Sequence, residues 1–265
     1  MRNMNATTSF RDRLVSSPVY FPYWPLEKVL ATCRDLGFHK FEGFTEWPEC
    51  RLDWKGDPAV PRGLAESLGI QFTSFHLPKI GEDVEGGLEN ALTAARYAAG
   101  LGAKIVLFKA ATPGIYAQTA ERFLDALDQA ALGLTPVLQN HVGSPISTLD
   151  DYKRVFDSIG NDPRMKAILE VGHFHRAGIS WEQGWDFLGD RVALIHVNEI
   201  RDGEPVLFGT GEVDFRGLMR RVKDSAYEGD IVVELELSSR ETNPQETIDG
   251  VSQAVALLEN CYLEA

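Results

Sequence analysis

Apolar and polar positions follow two alternating rhythms along this chain. Short apolar runs (IVLF at 105–108, MKAIL at 165–169, VALIHV at 192–197 and IVV at 231–233) carry no clean alternation, as expected of parallel strands buried on both faces. Between them lie longer alanine- and leucine-rich stretches with helical periodicity. Four of these end in Leu-Gly, at Leu36-Gly37, Leu68-Gly69, Leu101-Gly102 and Leu132-Gly133, and each hands over to a strand-like run. Glycine there closes a helix by taking a left-handed conformation that side chains resist. The junction recurs about every 32 residues, the length of one strand, one helix and their loops. The pattern predicts strands over 17–21, 39–44, 70–76, 103–109, 135–140, 165–170, 191–197 and 230–236. It predicts helices over 25–36, 58–68, 84–101, 116–132, 148–159, 181–188, 214–225 and 244–260. Eight such units specify an α/β fold, a single (β/α)8 TIM barrel with a parallel eight-stranded barrel and outer helices. One domain spans 1–265, with 1–16 read as a polar lead-in.

The 265 residues and 44% hydrophobic content suit one barrel core. No apolar run approaches the roughly 18 residues needed to cross a bilayer. The N-terminus has no apolar stretch of a secretory signal, so a cytoplasmic location is expected. A net charge of −13, with basic residues scattered among acids, argues against a nucleic-acid partner and against membrane association. Cys33, Cys50 and Cys261 lack CxxC spacing and are read as reduced thiols.

Polar residues with metal-ligand or acid/base chemistry stand at the ends of the apolar runs: Glu42, His76, Lys109, Gln139, Glu170, His196 and Glu234. In a parallel barrel all of them reach one face. Glu236 follows Glu234 on the same side of its strand. Any one of these has an ordinary explanation, such as a hydrogen-bonded histidine or a helix-terminal acid. Glu170, His196 and Glu234 at three successive strand ends, with the Gln139 amide from the preceding strand, form a nitrogen and oxygen donor set without sulfur, suited to one divalent cation: Mn²⁺, Mg²⁺, Co²⁺ or, less well, Zn²⁺. Lys109 follows IVLF directly and is either a rim lysine or a substrate contact. Tyr20, Phe21, Tyr23, Trp24, Trp47 and Trp54 either pack the barrel top or wall a ligand. Gly209-Thr210-Gly211 lies where barrels often bind phosphate.

From Phe38 onward the chain resembles the xylose-isomerase-like TIM-barrel superfamily of sugar isomerases and epimerases, which also includes hydroxypyruvate isomerase, inosose dehydratase and endonuclease IV. The matching segments are FEGF (41–44), SFHLP (74–78), LQNH (138–141), LEVGHFHRAG (169–178), HVNEIRDGE (196–204), GTGEVDF (209–215) and YEGDIVVELE (227–236). The resemblance implies a metal held at Gln139, Glu170, His196 and Glu234, with Mn²⁺ the first expectation. Two of these depart from the usual pattern: Glu170 replaces an aspartate, and Gln139 replaces a glutamate. The resemblance further implies Glu234, His173 and Lys109 in catalysis, and His76, His141, Glu42, Trp47 and Arg201 around a small sugar-like substrate. The reaction implied is proton transfer next to a carbonyl through a metal-stabilised enediolate. An amide is not a base, so Gln139 removes one of the two carboxylates a two-base epimerisation uses. That change favours isomerase or dehydratase chemistry, or a barrel that has lost its metal site. A DNA-repair endonuclease is disfavoured by the charge and by the six histidines, few of them in further ligand positions. A homodimer or homotetramer is the assembly such relatives commonly form.

Overall fold

A computed structural model describes residues 9–265. Eight parallel strands form one sheet: β1 (Leu14–Val15), β2 (Lys40–Phe44), β3 (Gln71–His76), β4 (Ile105–Leu107), β5 (Thr135–Leu138), β6 (Lys166–Glu170), β7 (Val192–Val197) and, after a small hairpin β8 (Ile200–Arg201) and β9 (Glu204–Pro205), β10 (Ile231–Val233). Their order, β1-β10-β7-β6-β5-β4-β3-β2, has its two ends joined by a parallel bridge between Ser16 and Phe41. Two backbone hydrogen bonds make that closure, from Ser16 N to Lys40 O and from Glu42 N to Ser16 O, both 3.0 Å. Outside the sheet run α1 (Leu26–Asp35), α2 (Ala59–Ser67), α3 (Val84–Leu101), α4 (Pro113–Gln129), α5 (Leu149–Ser158), α6 (Val171–Arg176), α7 (Trp181–Leu188), α8 (Phe215–Asp224) and α9 (Pro244–Glu264). The chain is a TIM barrel. Among the described residues no helix is long and apolar enough to cross a membrane.

The repeated Leu-Gly junctions are helix ends as expected, with Gly37, Gly69, Gly102 and Gly133 all at positive φ. The first strand lies elsewhere than the sequence pattern placed it. Residues 17–21 form a 3-10 turn (Pro18–Tyr20) because Pro18 fixes its start and Ser17 caps it, its hydroxyl accepting from Val19 N. Leu14–Val15 supplies the strand instead, so the segment read as a polar lead-in carries barrel structure from its second half, with Phe10 buried. Residues 1–8 of that lead-in lie outside the described residues. Helix α4 begins three residues early, since Thr112 caps it and Pro113 starts it.

The barrel interior is filled by Val15, Leu107, Val137, Ile168, Leu194 and Val232, one layer of fully buried apolar side chains. Because side chains alternate across a strand, the residue two positions further on points the same way. Five of the candidate residues stand two positions beyond a member of that layer: Lys109, Gln139, Glu170, His196 and Glu234. The chemistry therefore sits one layer above the apolar plug, at the C-terminal mouth of the barrel.

Candidate metal and substrate site

Three glutamates surround one histidine at this mouth. His196 and Glu42 are fully buried, as is Glu170, while Glu234 remains 7% exposed. On one edge of the His196 ring, Nδ1 lies 2.9 Å from Glu170 Oε2 and 3.4 Å from Glu234 Oε1. On the other edge, Nε2 lies 3.3 Å from Glu42 Oε1. Glu42 is fixed from below by the Ser74 hydroxyl, which donates to it at 2.7 Å, and its Oε2 is 3.2 Å from His76 Nε2. The Gln139 amide donates to Glu170 Oε2 at 2.9 Å.

These proximities strongly perturb the acids and bases. Burial opposes protonation of His196, but Glu42, Glu170 and Glu234 outweigh it and hold the imidazole well above its ordinary range. Burial opposes ionisation of Glu42, yet His196 and His76 keep it far below the ordinary carboxylate range. Glu170 is pushed up to about 7, first by burial and then by Glu234. Among the described residues, Glu42 Oε2, Glu170 Oε1, His76 Nε2 and both His196 ring nitrogens have no aligned hydrogen-bond partner. Buried polar atoms are ordinarily paired. A cluster of carboxylate oxygens and an imidazole nitrogen left without aligned partners fits a divalent cation, and Glu42, His196 and Glu234 offer ligand atoms within 4.8 Å of one another. That compact set differs from the one the resemblance implied. Glu42 faces Nε2 of the ring, whereas Glu170 and Glu234 share its Nδ1 edge, so the two edges offer different carboxylates to a cation.

Above the cluster opens a cavity of about 380 Å³, lined among others by Phe44, Trp47, His76, Lys109, Gln139, His141, His173, Glu234 and Glu236. Phe44 stacks on His76 with ring centres 3.7 Å apart, and Trp47, at positive φ and half exposed, meets Phe44 edge-on at the mouth. His141 and His173 lie ring against ring at 3.8 Å. Burial, followed by His141, pushes His173 down to about 3, so it is neutral at ordinary pH. Lys109 is lowered by burial, partly offset by Glu46 at 3.7 Å. Glu236 is raised by burial and by Glu234.

Two residues expected at the substrate lie elsewhere. Glu42 is buried beneath the cavity and does not line it. Arg201 sits on the β8–β9 hairpin, exposed, and donates to Thr210 O at 3.1 Å. The hairpin turns at Asp202-Gly203, both at positive φ, a geometry the DG pair favours. Four of the five glycine-loop amides at 209–213 are already paired, Thr210 N with Leu207 O and Glu212 N with Ile200 O among them. Gly209 N and Val213 N donate to the buried carboxylate of Glu199, at 3.0 and 3.1 Å. His175, given no role from sequence, pairs outward with Glu212 at 2.9 Å.

Helix α6 went unread in the sequence. It starts immediately after Glu170 and turns His173 into the cavity, while Gly172 packs against Asn198 so closely that a Cβ there would stand 1.9 Å from its Oδ1. Sequence reasoning also missed Ser74 and Lys79, whose only signal is their proximity to the end of β3, and Tyr116 in the first turn of α4. A wider cleft of about 530 Å³ lies at the opposite end of the barrel, between α7 and α8. Its arginine, Arg221, is already paired with Asp186 at 2.9 Å, and none of the perturbed groups of the mouth lines it.

Residues 30–261 match the family model described as xylose isomerase-like TIM barrel. The chain belongs to that family. It is 23% identical to an inosose dehydratase of Serratia proteamaculans, over 77% of this chain and 82% of that protein. Its fold is similar to that of the protein IolI, solved with a zinc atom bound (16% identity, TM-score 0.75, covering 94% of this chain and 98% of that one). It is also similar to a D-allulose 3-epimerase from Methylomonas sp. (18% identity, TM-score 0.74, 96% and 100%) and to 3-keto-D-glucoside 4-epimerase from E. coli (18%, 0.72, 94% and 99%). At these identities the solved structures speak for the fold alone.

Proposed function

We propose that the protein is a divalent-metal-dependent enzyme that moves a proton on the carbon next to a carbonyl of a small sugar-like molecule, as an isomerase or epimerase. The observation that carries this reading is the convergence of Glu170 and Glu234 on Nδ1 of His196 at the floor of a ligand-sized cavity. Glu170, His196 and Glu234 would hold the cation, with Gln139 beside them. When bound, the cation supplies a Lewis acid for the carbonyl oxygen.

The residues divide the remaining work. Glu170 and His196 are sealed from the cavity, whereas Glu234 lines it, so Glu234 is the carboxylate placed to take the proton. His173, neutral and in the wall, orients a substrate hydroxyl without adding charge. Phe44 and Trp47 present ring faces and edges to the C–H surface of a sugar. Gln139 contributes an amide where a second base would stand. Other proton carriers on the wall include Lys109, His141 and Glu236.

A dehydratase is the second reading, favoured by Gln139 and by the inosose dehydratase relative. There Glu234 would break the C–H bond next to the carbonyl while the neighbouring C–O bond breaks and hydroxide leaves, protonated to water. Proton exchange separates the proposal from inert binding. With Mn²⁺ present, incubation with ketoses, inososes and their carboxylated and phosphorylated counterparts in D₂O should place deuterium next to the carbonyl, detected by proton NMR. Loss of water from the product marks the dehydratase. Absence of exchange across a panel of such compounds, with metal bound, would refute both.

A further inference from the structure

We infer that the cavity takes an anionic substrate, whose carboxylate or phosphate group is held by Lys79 and Lys109 while its carbonyl end lies over Glu170, His196 and Glu234. This deepens the proposed function and rests on it for the carbonyl end only.

The two lysines are placed together by the backbone. Beyond the ends of β3 and β4 the chain continues as a parallel bridge between Ile80 and Ala110. Ile80 N donates to Lys109 O at 3.0 Å, and Ala111 N donates to Ile80 O at 2.9 Å. The bridge locks Lys79 and Lys109 side by side, and both line the cavity. Two like charges on one wall together favour an anion between them. In a chain of net charge −13 acidic partners are plentiful, yet this pair is poorly served. The Lys109 ammonium is 3.7 Å from the half-exposed Glu46 carboxylate, beyond a hydrogen bond. Lys79 is exposed and, among the described residues, has no carboxylate within 4.0 Å. Ala111 and Tyr116, flanking and within the first turn of the 17-residue helix α4, complete the wall, adding the positive end of its dipole.

The opposite wall is acidic, with Glu234 and Glu236. The cavity is thus polarised along its length, and a substrate with an anionic tail enters in one orientation. About 380 Å³ lies within the range of small-molecule sites. A neutral polyol would leave Lys79 without a charged partner and Lys109 with only its 3.7 Å contact to Glu46.

Three probes sharing one carbon skeleton test this: glycerol, glycerate and glycerol 3-phosphate. Each is titrated calorimetrically into the full-length protein, alone and with Mn²⁺, and into the K79Q/K109Q variant. One or both anions should bind at least tenfold more tightly than glycerol, and the variant should lose at least tenfold in that affinity. Preference for glycerate assigns a carboxylate tail, and preference for glycerol 3-phosphate a phosphate. The variant's Mn²⁺ affinity, expected within about twofold of the parent's, shows that it folds. Equal binding of all three probes, anion affinity unchanged in the variant, or no anion binding to a protein that binds Mn²⁺ would overturn the inference. Anion binding without Mn²⁺ binding would sustain it and instead refute the metal-dependent reading.

Discussion

Glu42 Oε1 stands 3.3 Å from Nε2 of His196, on the edge of the ring opposite to Glu170 and Glu234. A carboxylate there favours the proton on Nε2 and leaves the Nδ1 lone pair for a cation, the arrangement by which carboxylates orient metal-bound histidines. Ser74 and His76 hold Glu42 in place from the neighbouring strand. Glu42 is thus a positioning residue. Glu42→Gln should weaken Mn²⁺ binding about 10- to 100-fold. Calorimetric titration checks this, with circular dichroism to show an intact fold. Unaltered affinity would mean that Glu42 does not act through His196.

Glu234→Gln should abolish turnover while the protein stays folded, because the amide can still offer an oxygen to a cation but cannot accept a proton. Deuterium exchange next to the substrate carbonyl is the direct readout. Exchange at the parental rate would remove Glu234 from the proton transfer.

Gln139→Glu changes sign with metal. Without a cation, the substitution sets a second carboxylate against Glu170, where the amide now donates at 2.9 Å, and the melting temperature should fall. With Mn²⁺ the added charge should raise affinity and the melting temperature should recover. If metal affinity does not change, residue 139 is not near the ion.

Trp47→Ala removes a ring from the mouth without opening the core, since Trp47 is 54% exposed. KM should rise several-fold, with kcat nearly unchanged and the melting temperature within a degree or two. A loss confined to kcat would instead place Trp47 at the reacting carbon.

Tyr20→Phe tests the revised N-terminal segment. The buried Tyr20 hydroxyl donates to Val233 O at 2.6 Å, tying the 3-10 turn to β10 just before Glu234. Its loss should cost about 1 kcal/mol, a shift of about 2–4 °C for a domain of this size. An unchanged melting curve would show that the turn does not brace the last strand.

Much of this architecture was legible in the sequence. Where the period was regular it placed both strands and helix ends, since Leu-Gly caps and doubly buried strands leave local marks. It failed where local chemistry overrode the period. Pro18 turned an apolar segment into a 3-10 turn, and the VGHFHR stretch after Glu170 curled into a short helix because Gly172 can press against Asn198. The strand-end residues were visible because alternation carries them onto one face. What sequence could not show was depth. Glu42 and His76 belong to neighbouring strands and to the same ring of charge, yet one is sealed below the cavity and the other lines it. Arg201 was misplaced because a two-residue hairpin turns it outward. The lysine pair depends on the bridge between Ile80 and Ala110, a long-range contact that no local pattern announces.

The central claim is a cation held on Nδ1 of His196 by Glu170 and Glu234. Its most direct test is the metal content of the purified, tag-free protein by plasma mass spectrometry, joined to melting curves before and after chelation. The account predicts close to one equivalent of Mn, Co, Mg or Zn, a melting temperature that falls on chelation and recovers on re-addition, and loss of that response in Glu170→Ala. A protein that purifies without metal and melts identically with or without Mn²⁺ would contradict it.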